Sequence, residues 1–289
     1  LVLGFANVVD LPAGQSFVME MVGKDDVVNG VALNSAGFNA ARIVGPAAAG
    51  VLIARLGLVP AFLLNSLGFV VVIAALLRLG TQGLPVRGRR ATMFEEIREG
   101  LRYARRTPRV LLVLGLLFVV SLCVFNFTVY VPLLARNVLG LGAEGFGFLM
   151  AALGVGAVAG ALTVGMLGSR EPPLAGMVAA AAIALAGLLG LAAARQVWTA
   201  VPLLVVTGYF GIVLVASCNT AMQLIAPDAL RGRVMSLYTW VYGGVFPIGA
   251  FLVGAISQAS SVSTAFLCAG TVGLVALAGL MLWWGLRRD

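Results

Sequence analysis

Nine long apolar runs, separated by mostly short polar segments, set the pattern of the chain. They lie at 1–21, 31–54, 59–79, 110–134, 145–168, 173–193, 198–225, 234–257 and 263–286. A helix needs about 20 apolar residues to cross ~30 Å of hydrocarbon, and it satisfies its backbone hydrogen bonds internally. The pattern therefore predicts an all-α membrane protein that crosses the bilayer along each of these runs.

The composition excludes an ordinary soluble domain. Hydrophobic residues make up 61% of the 289 residues and charged residues only 10%, whereas soluble domains carry about 25% charged residues. The chain has no His, and Cys123, Cys218 and Cys268 lie inside apolar runs without metal-ligand spacing. These features predict buried small thiols, and no cofactor, metal site or thiol chemistry.

The positive charges fall mainly on one side when successive loops alternate across a membrane. If the loop after the first run is cytoplasmic, that side receives 15 of the 19 Lys and Arg residues: Lys24, nine arginines from Arg78 to Arg109, Arg170, Arg231, Arg233, Arg287 and Arg288. Three more, Arg55, Arg136 and Arg195, lie on the other side. The positive-inside rule then predicts a multi-pass protein of the inner or plasma membrane, with the linker and C-terminus cytoplasmic. Because basic loops facing anionic lipid account for the net charge, no nucleic-acid partner is expected.

The longest polar segment, residues 80–109, contains a helical pattern of its own. Thr92 and Glu95 have the spacing of a helix capping box. Apolar and basic residues then recur on opposite faces, Phe94, Ile97, Leu101 and Ala104 against Arg98, Arg102, Arg105 and Arg106. This pattern predicts an amphipathic helix on the inner membrane surface, within a linker between two sets of spans.

The linker divides the spans unequally, with three before it and six after it. Transporters of repeated architecture are built from equal sets of helices. We therefore expect 1–79 to be the second half of an N-terminal six-helix repeat, 80–109 the linker, and 110–289 a C-terminal six-helix repeat. Since residue 1 is a Leu inside an apolar run, three helices are expected to be missing before it.

Three segments carry a likeness to a known family. They are DLPAGQSFVMEMV at 10–22, the stretch 31–50 with its Gly45-Pro46 element, and the loop and helix at 226–256. In order, they resemble the fourth helix, the fifth helix and the region of the tenth-to-eleventh helix loop in the enterobactin-exporter-like branch of the major facilitator superfamily. The resemblance implies the major facilitator fold, with this chain as helices 4–12 of an expected 12.

The resemblance also implies a function. It points to a monomeric secondary transporter that exports a siderophore or an amphipathic drug-like molecule by alternating access with proton antiport. An importer or facilitator of the same fold, and a truncated fragment that transports nothing, remain alternatives. Gly14 stands where the branch has an Arg, so no role of that Arg carries over. An enzyme is not expected, because the sequence contains neither HExxH nor GxSxG.

Two charged residues lie deep in the apolar runs. Asp10 is about eleven residues before the cytoplasmic end of its span and Arg42 about eleven residues into the next, so a rise of 1.5 Å per residue places both near mid-depth. A charge there needs a partner or water. The spacing predicts an ion pair that borders the transport pathway. A pair that only holds two helices together, or Asp10 capping a kink at Pro12, are the alternatives.

Amides, tyrosines and helix-breaking residues also interrupt the spans. Eight polar residues are expected to face helix partners or a central cavity, because unpaired polar groups avoid lipid: Asn34, Asn39, Asn126, Tyr130, Asn219, Gln223, Tyr238 and Tyr242. Asn126 and Tyr130, four residues apart, share one face of their span and are expected to line the cavity. Asn219 and Gln223 have the same spacing near the cytoplasmic end of theirs, where gating is an equal alternative to substrate contact. Five residues predict helix breaks with a gating role: Gly45, Pro46, Gly243, Gly244 and Pro247. Gly156 and Gly160 form a GxxxG pattern, which favours close helix packing.

Overall fold

The computed structural model describes residues 58–78, 93–166, 171–227 and 230–287, and every regular element in these ranges is a helix. In chain order the α-helices are α1 Leu58–Arg78, α2 Met93–Arg106, α3 Pro108–Cys123, α4 Phe127–Leu133, α5 Ala143–Met166, α6 Leu174–Ala193, α7 Val197–Ile225, α8 Arg231–Gly244, α9 Phe246–Ala259 and α10 Val262–Gly285. A π-helical turn, Leu134–Val138, continues α4. The chain divides into two compact units, Leu1–Arg90 with α1 and Ala91–Asp289 with all the other described helices.

Six stretches of the described chain are long and apolar enough to cross a membrane. They are Pro108–Val138, Ala143–Met166, Leu174–Ala193, Val197–Ile225, Gly232–Ala259 and Val262–Gly285. Each matches a predicted span to within a few residues, and α1 matches the predicted span 59–79. The all-α membrane class is therefore confirmed. The predicted spans 1–21 and 31–54 lie outside the described residues, and the total of twelve helices stays a prediction.

The closest helix contact in the second unit joins α5 to α7. A Cβ atom on Gly156 would meet the Val205 carbonyl oxygen, and one on Gly160 would lie 2.5 Å from the Tyr209 carbonyl oxygen. The Tyr209 hydroxyl reaches back to donate to Thr163 Oγ1 at 3.1 Å. Because only glycine permits this approach, the GxxxG pattern brings two backbones together, and its predicted packing role is confirmed.

The remaining core packs α6 between α7 and α10. Leu185, Leu188 and Leu204 are completely buried there. At the end of α6, Arg195 Nη1 donates to the Ala192 carbonyl at 3.1 Å and to Ser263 Oγ at 2.8 Å. A guanidinium at a helix C-terminus satisfies free carbonyls, so this arginine closes α6 and ties it to the start of α10.

The amphipathic helix α2 packs on the ends of α7 and α8. Ala104 is completely buried, and a Cβ on Gly100 would lie 2.9 Å from the Arg233 carbonyl oxygen. The Tyr103 hydroxyl donates to the Ile225 carbonyl at 3.1 Å, at the last residue of α7. Of the predicted apolar face, Ala104 thus packs against protein while Leu101 is 38% exposed. The helix docks through its smallest residues because they let the backbones approach.

The contact of α5 with α7 generates a stability prediction. Gly160→Ala should lower the melting temperature of the purified protein, because the new Cβ meets a backbone carbonyl that cannot rotate away. Overpacking of this kind costs about 1–3 kcal/mol. The matched control is Gly165→Ala in the same helix, where a Cβ meets nothing within 4 Å. Thermal unfolding of both variants in one detergent checks this, and equal melting temperatures would contradict the packing role.

Candidate functional site

The membrane span Pro108–Val138 is interrupted in its middle. α3 ends at Cys123 and α4 begins at Phe127, and the amides of Val124 and Phe125 both donate to the Val120 carbonyl, at 2.8 and 3.2 Å. Two side chains bond to carbonyls at the end of α3. Asn126 Nδ2 donates to the Leu122 carbonyl at 2.7 Å, and the Tyr130 hydroxyl donates to the Cys123 carbonyl at 3.3 Å. Where the helix is interrupted, backbone carbonyls lose backbone donors, and these two side chains supply donors to them.

The interruption arises from local chemistry. Asn126 offers its own amide to the backbone and so competes with the helical ladder. Pro132, inside α4, has no N–H to donate to the preceding turn. After it the chain widens into the π-helical turn, where the Leu139 amide donates to the Leu134 carbonyl at 3.0 Å. π-Helical turns often accompany functional sites, so this half-span is a candidate for function.

The next-to-last span is also interrupted. α8 ends at Gly244 and α9 begins at Phe246, with Val245 between them at φ −82° and ψ −23°. Pro247 sits in the first turn of α9, where its missing N–H costs nothing. The break falls between the predicted residues Gly243-Gly244 and Pro247, and their gating role stays a prediction.

The two interruptions lie against each other. A Cβ atom on Gly249, in the first turns of α9, would meet both Asn126 Nδ2 and the Leu122 carbonyl oxygen. The rings of Phe125 and Tyr242 meet edge to face, with centroids 5.5 Å apart and an interplanar angle of 71°. The two interruptions are therefore in direct contact.

Aromatic rings extend this contact towards α7. The rings of Tyr238 and Tyr242 stack with centroids 6.1 Å apart, and the Tyr238 hydroxyl donates to the Val215 carbonyl at 3.2 Å. Gly211 lies one turn before Val215 on α7 and faces Phe125. A Cβ added to Gly211 would lie 3.7 Å from Phe125 Cζ, which is van der Waals distance. Three helices thus meet around these rings.

The two amides predicted on α7 continue the same side of the helix. Asn219 follows Val215 by one turn and Gln223 follows by another, and Gln223 Nε2 donates to Asn219 Oδ1 at 2.5 Å. Asn219 is half-buried and Gln223 is exposed. We call these side chains the aromatic–amide cluster: Phe125, Asn126, Tyr238 and Tyr242 at the two breaks, and Asn219 and Gln223 one and two turns further along α7, towards its end at Ile225.

Tyr130 contacts α10 and does not take part in the ring contacts around Phe125. Its ring stacks on Phe266 of α10, with centroids 4.5 Å apart and an angle of 12° between planes, and it is completely buried. It borders an apolar cavity of about 100 Å³ that Leu122, Gly249 and Cys268 also line. Asn126 and Tyr130, predicted to share one face, therefore both support the α3 terminus but contact different helices.

Asn126 has one atom whose situation is unusual. The side chain is completely buried, yet its Oδ1 accepts no hydrogen bond from any described residue. A buried acceptor without a donor costs about 1–3 kcal/mol. The folded chain carries that cost at the point where the two interrupted spans touch, which makes this oxygen a candidate acceptor for a transported molecule.

The cluster is also free of charge. The charged residues of the six spans lie near the ends, at Arg109, Arg136, Glu144 and Arg233. Arg109 pairs with Glu171 at 2.6 Å, and both are partly exposed. Among the described residues, no group of three or more His, Cys, Asp or Glu side chains is placed to bind a metal. Recognition at this site would rest on rings and amides.

Six predicted site residues lie outside the described residues: Asp10, Asn34, Asn39, Arg42, Gly45 and Pro46. Their roles stay predictions. Sequence reasoning did not single out Gly249, Pro132 or Phe125. Glycine often marks a close approach of two helices and proline a helix break. The chain has 37 glycines, however, and nothing in the sequence distinguishes Gly249 from the rest.

Interrupted spans within a bundle of apolar helices are a feature of many multi-spanning membrane transporters. The major facilitator family described as "Transmembrane secretion effector" matches residues 1–288. The chain belongs to this family of transporters. The membership confirms the resemblance seen in the sequence and the prediction that the protein is not an enzyme.

Named relatives agree with the family. The chain is 29% identical over 267 residues to enterobactin exporter EntS of Shigella boydii, a match that covers 91% of this chain and 62% of the relative. It is 28% identical over 267 residues to enterobactin exporter EntS of Escherichia coli O139:H28 and of Escherichia coli O9:H4, with the same coverage. The chain thus spans 62% of the length of these relatives.

The contact between the two interruptions generates the second prediction. Gly249→Ala should reduce thermal stability and transport, because its Cβ meets the Asn126 amide and a backbone carbonyl. Gly254→Ala, in the same helix, is the control, since a Cβ there meets nothing within 4 Å. Adding Asn126→Ala to Gly249→Ala should recover part of the stability. If Gly249→Ala behaved like Gly254→Ala, the two spans would not depend on this contact.

Proposed function

We propose that the protein is a secondary active exporter that moves a siderophore or an amphipathic drug-like molecule out of the cytoplasm by alternating access with proton antiport. The observation that carries the proposal is the aromatic–amide cluster, an uncharged site at two helix breaks that touch. Family membership supports transport, and the similarity to enterobactin exporters favours a siderophore as substrate.

The cluster suits a molecule with aromatic and neutral polar parts. Ring stacking and edge contacts favour flat apolar groups by about 0.5–1.5 kcal/mol per pair beyond burial. Asn219 and Gln223 offer both donors and acceptors, and Asn126 Oδ1 offers an acceptor. The charged side chains of the described spans lie near the span ends, away from Phe125 and Asn126, so we expect selectivity for charge to come from elsewhere in the protein.

We assign proton coupling to Asp10 and Arg42. A charge at the bilayer centre costs at least ~2.5–3.5 kcal/mol, so a carboxylate and a guanidinium at matched depth stabilise each other. Protonation of Asp10 would release Arg42. A cycle that alternates these two states can exchange an inward proton for an outward substrate.

The pair generates the third prediction. In inside-out vesicles with an acidic lumen, enterobactin should accumulate when the protein is present. Asp10→Asn and Arg42→Gln should each reduce this accumulation at least tenfold (~1.4 kcal/mol in transition-state terms), because neither can cycle between paired and unpaired charge. Glu20→Gln is the control, since Glu20 sits near the end of its span.

The outcomes of this experiment are distinct. Wild-type accumulation in both variants would end the assignment of Asp10 and Arg42. Accumulation that ignores the pH gradient would indicate a facilitator. Accumulation in right-side-out vesicles with an acidic exterior would indicate an importer, because an antiporter would expel substrate under that gradient. No activity in either orientation would favour a chain that does not transport enterobactin.

The aromatic rings generate the fourth prediction. Tyr242→Ala should raise the KM for transport several-fold, because it removes a ring that touches both Phe125 and Tyr238. Tyr242→Phe keeps both ring contacts and should transport with a KM near that of wild type. The melting temperature of each variant serves as the folding control. A KM unchanged in Tyr242→Ala would show that the substrate does not contact this ring.

A further inference from the structure

We propose that the outward side of α2 binds the headgroups of anionic phospholipids in the cytoplasmic leaflet. We define this outward side as Leu101, Arg102, Arg105 and Arg106. The inference does not depend on which molecule the protein transports. It rests on which edge of α2 is docked, on where the helix joins the membrane, and on how charge is distributed along it.

The docked edge fixes which residues face away from the protein. Gly100, Tyr103 and Ala104 lie within about 100° of arc on a helix of 3.6 residues per turn, and these residues contact α7 and α8. The other four residues of the last turns occupy the opposite arc. Arg102, Arg105 and Arg106 are exposed, and Leu101 is 38% exposed.

The chain places the C-terminal end of α2 at the membrane surface. Only Thr107 separates the end of α2 from Pro108, where α3 and its membrane span begin. A residue advances the chain by at most ~3.6 Å, and the headgroup layer on each side of the hydrocarbon is about 5–8 Å thick. Arg105 and Arg106 are therefore within reach of lipid phosphates, and Arg102 lies one turn further out.

Acidic and basic residues are also separated along α2. The carboxylates of α2, Glu95, Glu96 and Glu99, all lie in its first half, while the segment from Gly100 to Arg109 carries arginines and no acid. The basic half is the half that joins the membrane span. Arginines hydrogen-bond phosphate oxygens through two N–H groups at once, and Leu101 among them can insert its apolar side chain below the headgroups.

The docking contacts give such binding a route to the transport helices. α2 is held to the last residue of α7 by Tyr103 and to α8 by Gly100. α7 and α8 carry Asn219, Tyr238 and Tyr242 of the aromatic–amide cluster. Lipid bound to the outward side of α2 would therefore restrict the movement of α2, and with it the movement of the ends of α7 and α8 that α2 contacts.

The test measures binding of soluble short-chain phosphatidylglycerol to the purified protein in neutral detergent, with short-chain phosphatidylcholine and inorganic phosphate as the other two probes. Wild type should bind phosphatidylglycerol saturably and at least tenfold more tightly than phosphatidylcholine. The triple variant Arg102→Gln, Arg105→Gln, Arg106→Gln should lose at least tenfold in affinity, since each arginine near a charged lipid surface contributes roughly five-fold. Leu101→Gln should weaken binding of phosphatidylglycerol but not of inorganic phosphate.

The controls separate this site from general effects of charge. Arg136→Gln removes an exposed arginine from the span Pro108–Val138, at the end opposite to the one that α2 joins, and should leave binding unchanged. The melting temperature of the triple variant in detergent should match wild type, because its side chains point away from the core. Equal affinity for both lipids, unchanged binding in a folded triple variant, or inorganic phosphate binding as tightly as phosphatidylglycerol would overturn the proposal.

Discussion

The structure depends on one constraint, which is that a backbone in lipid must find its hydrogen-bond partners within the protein. Continuous helices meet it automatically. The span Pro108–Val138 does not, because α3 stops at Cys123. Asn126 and Tyr130 then serve as donors to carbonyls near the end of α3. Their position is set by this requirement, and the ring stack of Tyr130 on Phe266 and the approach of Gly249 to Asn126 follow from it.

Close packing transmits that local irregularity through the second unit. Small residues let neighbouring helices touch backbone to backbone, at Gly156 and Gly160 against α7, at Gly249 against α3, and at Gly100 against Arg233. Contacts of this kind do not deform gradually, because a carbonyl against a Cα leaves no side chain to rearrange. We therefore expect a change of angle at one break to move a whole helix, which is the kind of motion that the proposed alternating access would use.

The spans and their approximate ends could be predicted because hydropathy is a property of each segment alone. The break at Asn126 could not, since residues 124–126 contain neither Gly nor Pro and the helix stops there through side-chain bonding. Gly249 and Gly254 occupy the same helix, yet only the first meets another chain segment. Likewise, Leu101 belongs to an apolar stripe but is partly exposed, because α2 docks through Gly100 and Ala104. Packing between segments decides such cases, and the sequence of one segment alone does not determine it.

The distribution of charge suggests how the two parts of the transporter divide their work. The described spans keep their charges near the ends and present rings and amides in between. Asp10 and Arg42, which the sequence predicts to lie at mid-depth, both precede the linker. In the proposed mechanism, a neutral recognition surface would hold a substrate in either protonation state of Asp10 and Arg42, whereas a carboxylate in the same surface would tie affinity to pH. With the two proposed functions on separate helices, proton binding would act on the substrate through helix position and not through direct charge.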